Sequence, residues 1–246
     1  MSAESDIGSM SPPDWVDTPL PAGWWPLGSQ YPTRYLRGYV RGKLALDPVY
    51  RAVFAEIGTC PLPVLDIGCG VGLLAAFLRS RGHRAPLHGL DLDAEKIEAA
   101  QRTLGDRGGL SFRAHDARDG LPPHRGHVVM LDILQYFSPD QQRELLAAAA
   151  DRLAPTGRLI IRSCLSEATF RHRITRAVDR FASKVSWMKA EATTYPPKER
   201  FFGTLEPLGL EGRVQHLSGV LPFNNYLLVF VKKGGAEAPG RVYAAA

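Results

Sequence analysis

Apolar positions along the chain fall into two regimes. Between residues 31 and 57, Leu36, Tyr39, Val40, Leu44, Val49, Val53, Phe54 and Ile57 recur at helical intervals that break at Pro48, which predicts two short helices. Thereafter short, almost unbroken apolar runs alternate with longer segments of helical period. The runs 64–67, 86–90, 110–114, 127–131 and 158–162 read as strands. Segments 72–81, 94–104 and 139–153 read as helices, the last capped by Ser138 and separated by Gly157 from the strand that follows. Two further strands are expected at 214–217 and 226–232, joined through Pro222, Phe223, Asn224 and Asn225. Apolar strands interleaved with helices are the pattern of a parallel sheet covered on both faces, so the expected fold class is α/β.

Three segments stand outside that alternation. Residues 1–30 are rich in Pro, Ser and Gly yet carry Trp15, Trp24 and Trp25, which predicts an irregular arm packed against something, either as a lid on the core or on a partner. Residues 167–185 keep Phe170, Ile174, Ala177, Val178, Phe181 and Val185 on one stripe, with Arg171, Arg173, Arg176, Arg180 and Lys184 elsewhere, as in a basic amphipathic helix. Its arginines are either simply solvated or meet an acidic carrier, a membrane surface or an anionic substrate. Residues 234–246 read as a flexible tail. The expected organisation is therefore an N-terminal arm and helical lid over 1–58, a core over 59–233, and the tail.

Composition narrows the class without naming a ligand. The 246 residues, 45% hydrophobic and 22% charged, suffice for one domain with a sizeable core and exclude wholesale disorder. A formal net charge of +5 is too modest an excess to argue for nucleic acid by itself. Cys60, Cys69 and Cys164 are odd in number and lack paired spacing, so neither a disulfide framework nor a zinc site is indicated and a reducing cytoplasm is the expected setting. No run reaches the roughly 18 apolar residues of a membrane span, and residues 1–6 carry acids and no apolar leader core.

The candidate chemistry begins where the first strand runs into Gly68-Cys69-Gly70-Val71-Gly72 and then an apolar helical segment. Glycine at alternate positions permits positive φ and close backbone approach, and the N–H groups of a helix start suit an anionic, nucleotide-like ligand. A dinucleotide fingerprint would need glycine where Leu73 stands. An acid at the carboxyl end of the second strand, about 20 residues past such a loop, is placed to accept hydrogen bonds from ribose hydroxyls, and Asp91 holds that place. Asp93 reads as the cap of the helix over 94–104. Asp116 follows the third strand, where a carboxylate can accept from an adenine amino group while Ala117 offers backbone groups.

These features together resemble the motifs of the class I S-adenosylmethionine-dependent methyltransferases. D-x-G-x-G-x-G from Asp66 to Gly72 looks like that family's motif I, and His88-Gly89-Leu90-Asp91-Leu92-Asp93 like its second motif, within a resemblance covering about residues 62–161. It implies a Rossmann-like, doubly wound, seven-stranded sheet, mostly parallel with an antiparallel last strand, and S-adenosylmethionine as cofactor with S-adenosylhomocysteine as product. It further implies that Asp66, Gly68, Cys69, Gly70 and Gly72 flank the amino acid part of the cofactor, that Asp91 takes the ribose, that Leu92, Asp116 and Ala117 face the adenine, and that Asp132 lies at the methyl end.

Transfer from a sulfonium is an in-line displacement, so the protein has to hold a nucleophile roughly 3 to 3.5 Å from the methyl carbon and exclude water. A base matters only where the nucleophile must lose a proton. His115 and Tyr136 are the candidate catalytic residues, His115 as a base with a structural role the alternative; Gln135 and Tyr136 are also candidate walls of the acceptor site, packing under the following helix being the alternative for Tyr136. In the cluster Tyr31, Tyr35, Tyr39, Arg41 and Lys43, either Tyr39 or Arg41 is the candidate contact to the cofactor carboxylate, ordinary helix packing being the alternative. Asp132-Ile133-Leu134-Gln135 replaces the N/D-P-P-Y/F tetrapeptide of amino methylation, and Cys60-Pro61 reverses the order used in cytosine C5 chemistry. No second acid accompanies Asp132, so no metal is expected.

A small-molecule acceptor remains, with oxygen favoured over nitrogen or carbon. The segment Arg37-Gly38-Tyr39-Val40-Arg41-Gly42-Lys43-Leu44, with Tyr195-Pro196-Pro197-Lys198, is similar to bacterial methyltransferases of aryl polyene and type II fatty-acid-like pathways. That similarity implies a phenolic or acyl acceptor, one form of which is carried on an acyl carrier protein whose acidic surface meets the basic helix. The chain is expected to act as a monomer or homodimer. A non-catalytic cofactor-binding module, an RNA methyltransferase and a decarboxypropylating synthase stay open as rival readings.

Overall fold

The computed structural model describes residues 28–105, 108–166, 194–217 and 225–234. The tryptophan-bearing arm before residue 28, the expected basic helix at 167–185, the turn at 222–224 and the tail past residue 234 lie outside these. Strands β1 (Val64–Ile67), β2 (Leu87–Asp91), β3 (Leu110–Ala114), β4 (His127–Leu131), β5 (Arg158–Cys164), β6 (Leu210–His216) and β7 (Asn225–Lys232) form one sheet. Its order is β3-β2-β1-β4-β5-β7-β6, parallel from β3 to β5, with β7 antiparallel to both its neighbours. The architecture is thus the expected mostly parallel, seven-stranded α/β sheet with an antiparallel last strand.

The helices are α1 (Arg34–Leu46), α2 (Val49–Ile57), α3 (Leu73–Ser80), α4 (Ala94–Leu104), α5 (Pro139–Asp151) and α6 (Lys198–Leu205). Local chemistry fixes their ends. Thr33 caps α1 by accepting from the Leu36 N–H, and Asp47, extended at ψ 113° ahead of Pro48, stops it. Asp93 caps α4 through the Glu95 N–H, and Ser138 forms a capping box with Gln141 at the start of α5.

Side chains alternate across the strands, and both faces are covered. Leu65, Ile67, Val128, Met130, Ile161 and Phe230 pack with α5 and α6; Val64, Val129, Ile160 and Val229 pack on the other side with α1 to α4. The packing of α1 and α2 is continuous with that second layer, so the buried faces of both helices belong to the same core as the sheet.

Two elements depart from the sequence reading by more than a residue or two at an end. β6 starts at Leu210, four residues before the expected 214, because Gly212 breaks the alternation: its Cβ-free face lies on the Phe230 ring, where a Cβ would stand 2.2 Å from ring carbons. Helix α6 was not expected at all; only Phe201 and Leu205 are fully buried in its two turns, too short a stripe to show a period.

Candidate active site

The strand order reverses between β1 and β4, and over the carboxyl ends there lies a cavity of about 850 Å³. Open α/β sheets bind ligands at such a switch point, and this volume is near the upper end of the roughly 300–1,000 Å³ usual for single-ligand pockets.

The glycine loop forms its floor. Gly68 N–H and Cys69 N–H donate to Leu90 O at 2.7 and 2.9 Å, and Gly70 N–H donates to Asp91 Oδ2 at 2.8 Å. Gly72, at φ 74°, backs onto Phe112, where a Cβ would come within 2.9 Å; it supports the loop from behind and does not line the cavity. Gly70, at φ 55°, lines it with nothing within 4 Å of where a Cβ would stand. From the N-terminal side, the buried Tyr31 hydroxyl donates to Val71 O at 3.1 Å. Cys69, within the loop, also lines the cavity, and burial pushes its thiol well above the usual range.

The strand-end acids are held in distinct states. Asp91 accepts from Gly70 with one oxygen and from the Asp93 N–H, at 2.9 Å, with the other, which leaves lone pairs on both oxygens for a ligand. Asp66 is 2% exposed and its Oδ2 has no hydrogen-bond partner among the described residues. Burial, and then the Asp91 charge, push its carboxyl up to about 7. A buried acceptor left unsatisfied is costly, and a cationic donor entering the cavity removes that cost. Asp116 caps the short turn Ala117–Asp119 and pairs with Arg118 at 2.7 Å, whose hydrogen bonds hold its carboxyl below the usual value. Leu92 and Ala117 line the same end, Leu92 being 59% exposed.

At the opposite end stands a buried ion network. Asp132, with φ 56°, is gripped on both oxygens by Arg162, whose Nη1 also donates to Asp47 Oδ2 at 2.6 Å. Lys43 Nζ reaches that Asp47 oxygen at 3.0 Å. Burial alone would raise the Asp47 carboxyl, but the Arg162 and Lys43 charges hold it down at about 2. Tyr136 and Gln135 line the cavity beside this network. His115 also lines it, with Nε2 2.6 Å from Gly120 O, a contact that suits a loop-bracing role.

The cavity wall facing the sheet's loops is α1. Leu36, Val40 and Leu44 turn to the core, whereas Tyr35, Gly38, Tyr39, Gly42, Lys43 and Leu46 line the cavity. Arg41 belongs to neither face and packs beside Gly28, so of the two expected carboxylate contacts only Tyr39 reaches the cavity. Gly38 and Gly42 each cost a helix interior about 1 kcal/mol relative to alanine. Asp47 and its partnership with Arg162 were not anticipated; the only local signal at Asp47-Pro48 is a helix stop.

Residues 64–157 match a family model described as a methyltransferase domain. The chain is 30% identical over 112 residues to the trans-aconitate 2-methyltransferase of Sinorhizobium fredii, which is 45% of this chain and 42% of that protein. It is 37% identical over 100 residues, 39% of this chain and 30% of the relative, to the ribosomal RNA small subunit methyltransferase C of Pseudomonas aeruginosa. These matches span less than half the length of the curated relatives. The fold is similar, at a TM-score of 0.61 and 19% identity over 85% of this chain and 93% of the other, to that of the magnesium protoporphyrin IX methyltransferase of Synechocystis with bound S-adenosylhomocysteine.

Proposed function

We propose that this chain, in which residues 64–157 match a methyltransferase domain, transfers the methyl group of S-adenosylmethionine to an oxygen of a small-molecule acceptor. The observation that carries the cofactor is the unsatisfied, buried Asp66 Oδ2 behind the glycine loop, which lacks what a ligand ammonium group supplies. In this reading Asp91 takes ribose hydroxyls on its remaining lone pairs, Leu92 and Asp116 meet the adenine, and the loop around Gly70 lies along the amino acid part. The bound cofactor supplies an electrophilic methyl on a cationic sulfur and leaves neutral, so the protein's residues have only to orient the acceptor and exclude water. Calorimetry with S-adenosylhomocysteine tests this directly: micromolar-range binding that falls by at least about tenfold in Asp91→Ala is expected. No binding, or undiminished binding in the variant, overturns the cofactor reading.

Both carboxylates beside α1 are committed to Arg162, and Asp47 stays ionised far below neutrality, so neither is set up to take a proton from an acceptor. That supports an acceptor oxygen already ionised near neutral pH, a carboxylate or an acidic phenol, and the relative acting on trans-aconitate supports the same direction. Mass spectrometry of lysate incubated with the protein and a trideuteromethyl-labelled cofactor identifies the product. Label appearing only on nitrogen, or nowhere despite cofactor binding, refutes oxygen transfer, and the latter favours a non-catalytic module.

A second reading, RNA methylation, is favoured only by the ribosomal RNA relative; retention on RNA with steep salt dependence would carry it. No helix among the described residues is long and apolar enough to cross a membrane, and a cytoplasmic setting belongs to this proposal. So does an acyl-carrier-bound form of the acceptor, which fails if neutralising Arg173, Arg176 and Arg180 leaves activity on carrier-bound acceptors unchanged.

A further inference from the structure

Gly38 and Gly42 occupy consecutive turns of α1 on its cavity-facing side, and a Cβ at either would meet no described atom within 4 Å. Neither glycine has a positive φ to explain it. Helix-interior glycines with no turn to make and no close neighbour among the described residues weaken the helix without return from the packing of those residues. They leave a strip of bare backbone in the cavity wall. Tyr35, 58% exposed, and Tyr39, 38% exposed, neighbour that strip, and Asp132 and Tyr136 line the same cavity. An independent sign that the same cavity takes a ligand is the buried Asp66 Oδ2 in its lining, which has no hydrogen-bond partner among the described residues.

We infer that Gly38 and Gly42 are specificity-determining residues that open a slot for a flat, aromatic or conjugated acceptor, lying on the bare helix backbone with Tyr35 and Tyr39 against it. A thin body fits where a side chain is missing, and aromatic edges and faces beside it reward a ring or a conjugated plane over a flexible aliphatic chain. The inference rests on the methyl-transfer reading for the orientation of the acceptor, and extends that reading to the acceptor's shape.

The test uses the full chain loaded with S-adenosylhomocysteine and two carboxylate probes, the flat 2-naphthoate and the aliphatic succinate, followed by the quenching of naphthoate fluorescence and by calorimetry. The wild type is expected to bind naphthoate at least about tenfold more tightly than succinate. Gly42→Leu should weaken naphthoate by about tenfold or more while leaving S-adenosylhomocysteine affinity within about twofold. Gly42→Ala should raise the thermal midpoint and weaken naphthoate less. The inference is overturned if Gly42→Leu binds naphthoate as the wild type does, if succinate binds as well as naphthoate, or if both glycine variants lose stability and cofactor binding together, which would mean that another part of the chain fills the slot. Failure of the methyl-transfer reading shows separately, as naphthoate binding with no labelled methyl passing to any acceptor.

Discussion

With the cofactor ammonium on Asp66, as proposed above, cofactor binding is expected to depend on pH, and the sign follows from the carboxyl's surroundings. Burial first, and the Asp91 charge second, push its carboxyl from about 3.8 up to about 7, so the unliganded site holds a proton there below neutrality. A ligand ammonium needs the ionised form, and binding below about pH 7 must therefore release that proton. Affinity for S-adenosylhomocysteine is expected to be flat near pH 8 and to fall as pH drops, approaching a decade per pH unit, for a total of about 30-fold by pH 5.5. In the unliganded protein the same shift favours the folded state below the unfolded carboxyl value and loses up to about 4 kcal/mol as pH rises through about 7. Asp66→Asn should therefore weaken binding at pH 8, remove its pH slope and steady the unliganded protein in alkaline buffer. The assay is calorimetry between pH 5.5 and 8 in two buffers of different ionisation enthalpy, which counts the released proton. An affinity constant across that range, or the same slope in Asp66→Asn, would refute the reasoning.

Three further outcomes follow from groups outside that pair. Arg162→Met leaves the Asp47 and Asp132 carboxylates without their guanidinium partner and should destabilise the fold by about 3–5 kcal/mol, read by urea unfolding. Burial, then His83 and Arg158, push His127 down to about 4, so this buried imidazole is neutral when folded and its stabilising effect, about 3 kcal/mol, is lost as pH falls from 6.5 through 4. Unfolding at pH 7 and pH 4.5 should show a smaller acid loss for His127→Gln than for the wild type. Ser138→Ala removes half of the α5 capping box and should lower the unfolding free energy by about 1 kcal/mol, with S-adenosylhomocysteine affinity unchanged.

How legible each part was depends on how far apart in the chain its cause lies. β1, β3 and β4 begin and end where expected because a parallel strand buried on both faces is a short apolar block, and such a block needs no knowledge of its neighbours. That the glycine loop and the strand-end acids would meet at one cavity was equally legible, since they are local patterns that the switch in strand order then gathers. The ion network and the α1 wall were not. Arg162 and Asp47 meet across 115 residues of sequence, and no spacing rule links a strand-end arginine to an aspartate that also looks like an ordinary helix stop. Tyr39 and Arg41 were indistinguishable as candidates until the phase of α1 was known, because two residues along a helix turn a side chain through some 200°, from the cavity to the opposite side. Gly38 and Gly42 carry the same lesson with the opposite sign. Along the chain they only weaken the expectation of a helix, and it is the open space beside them that turns a local defect into a statement about what the cavity admits.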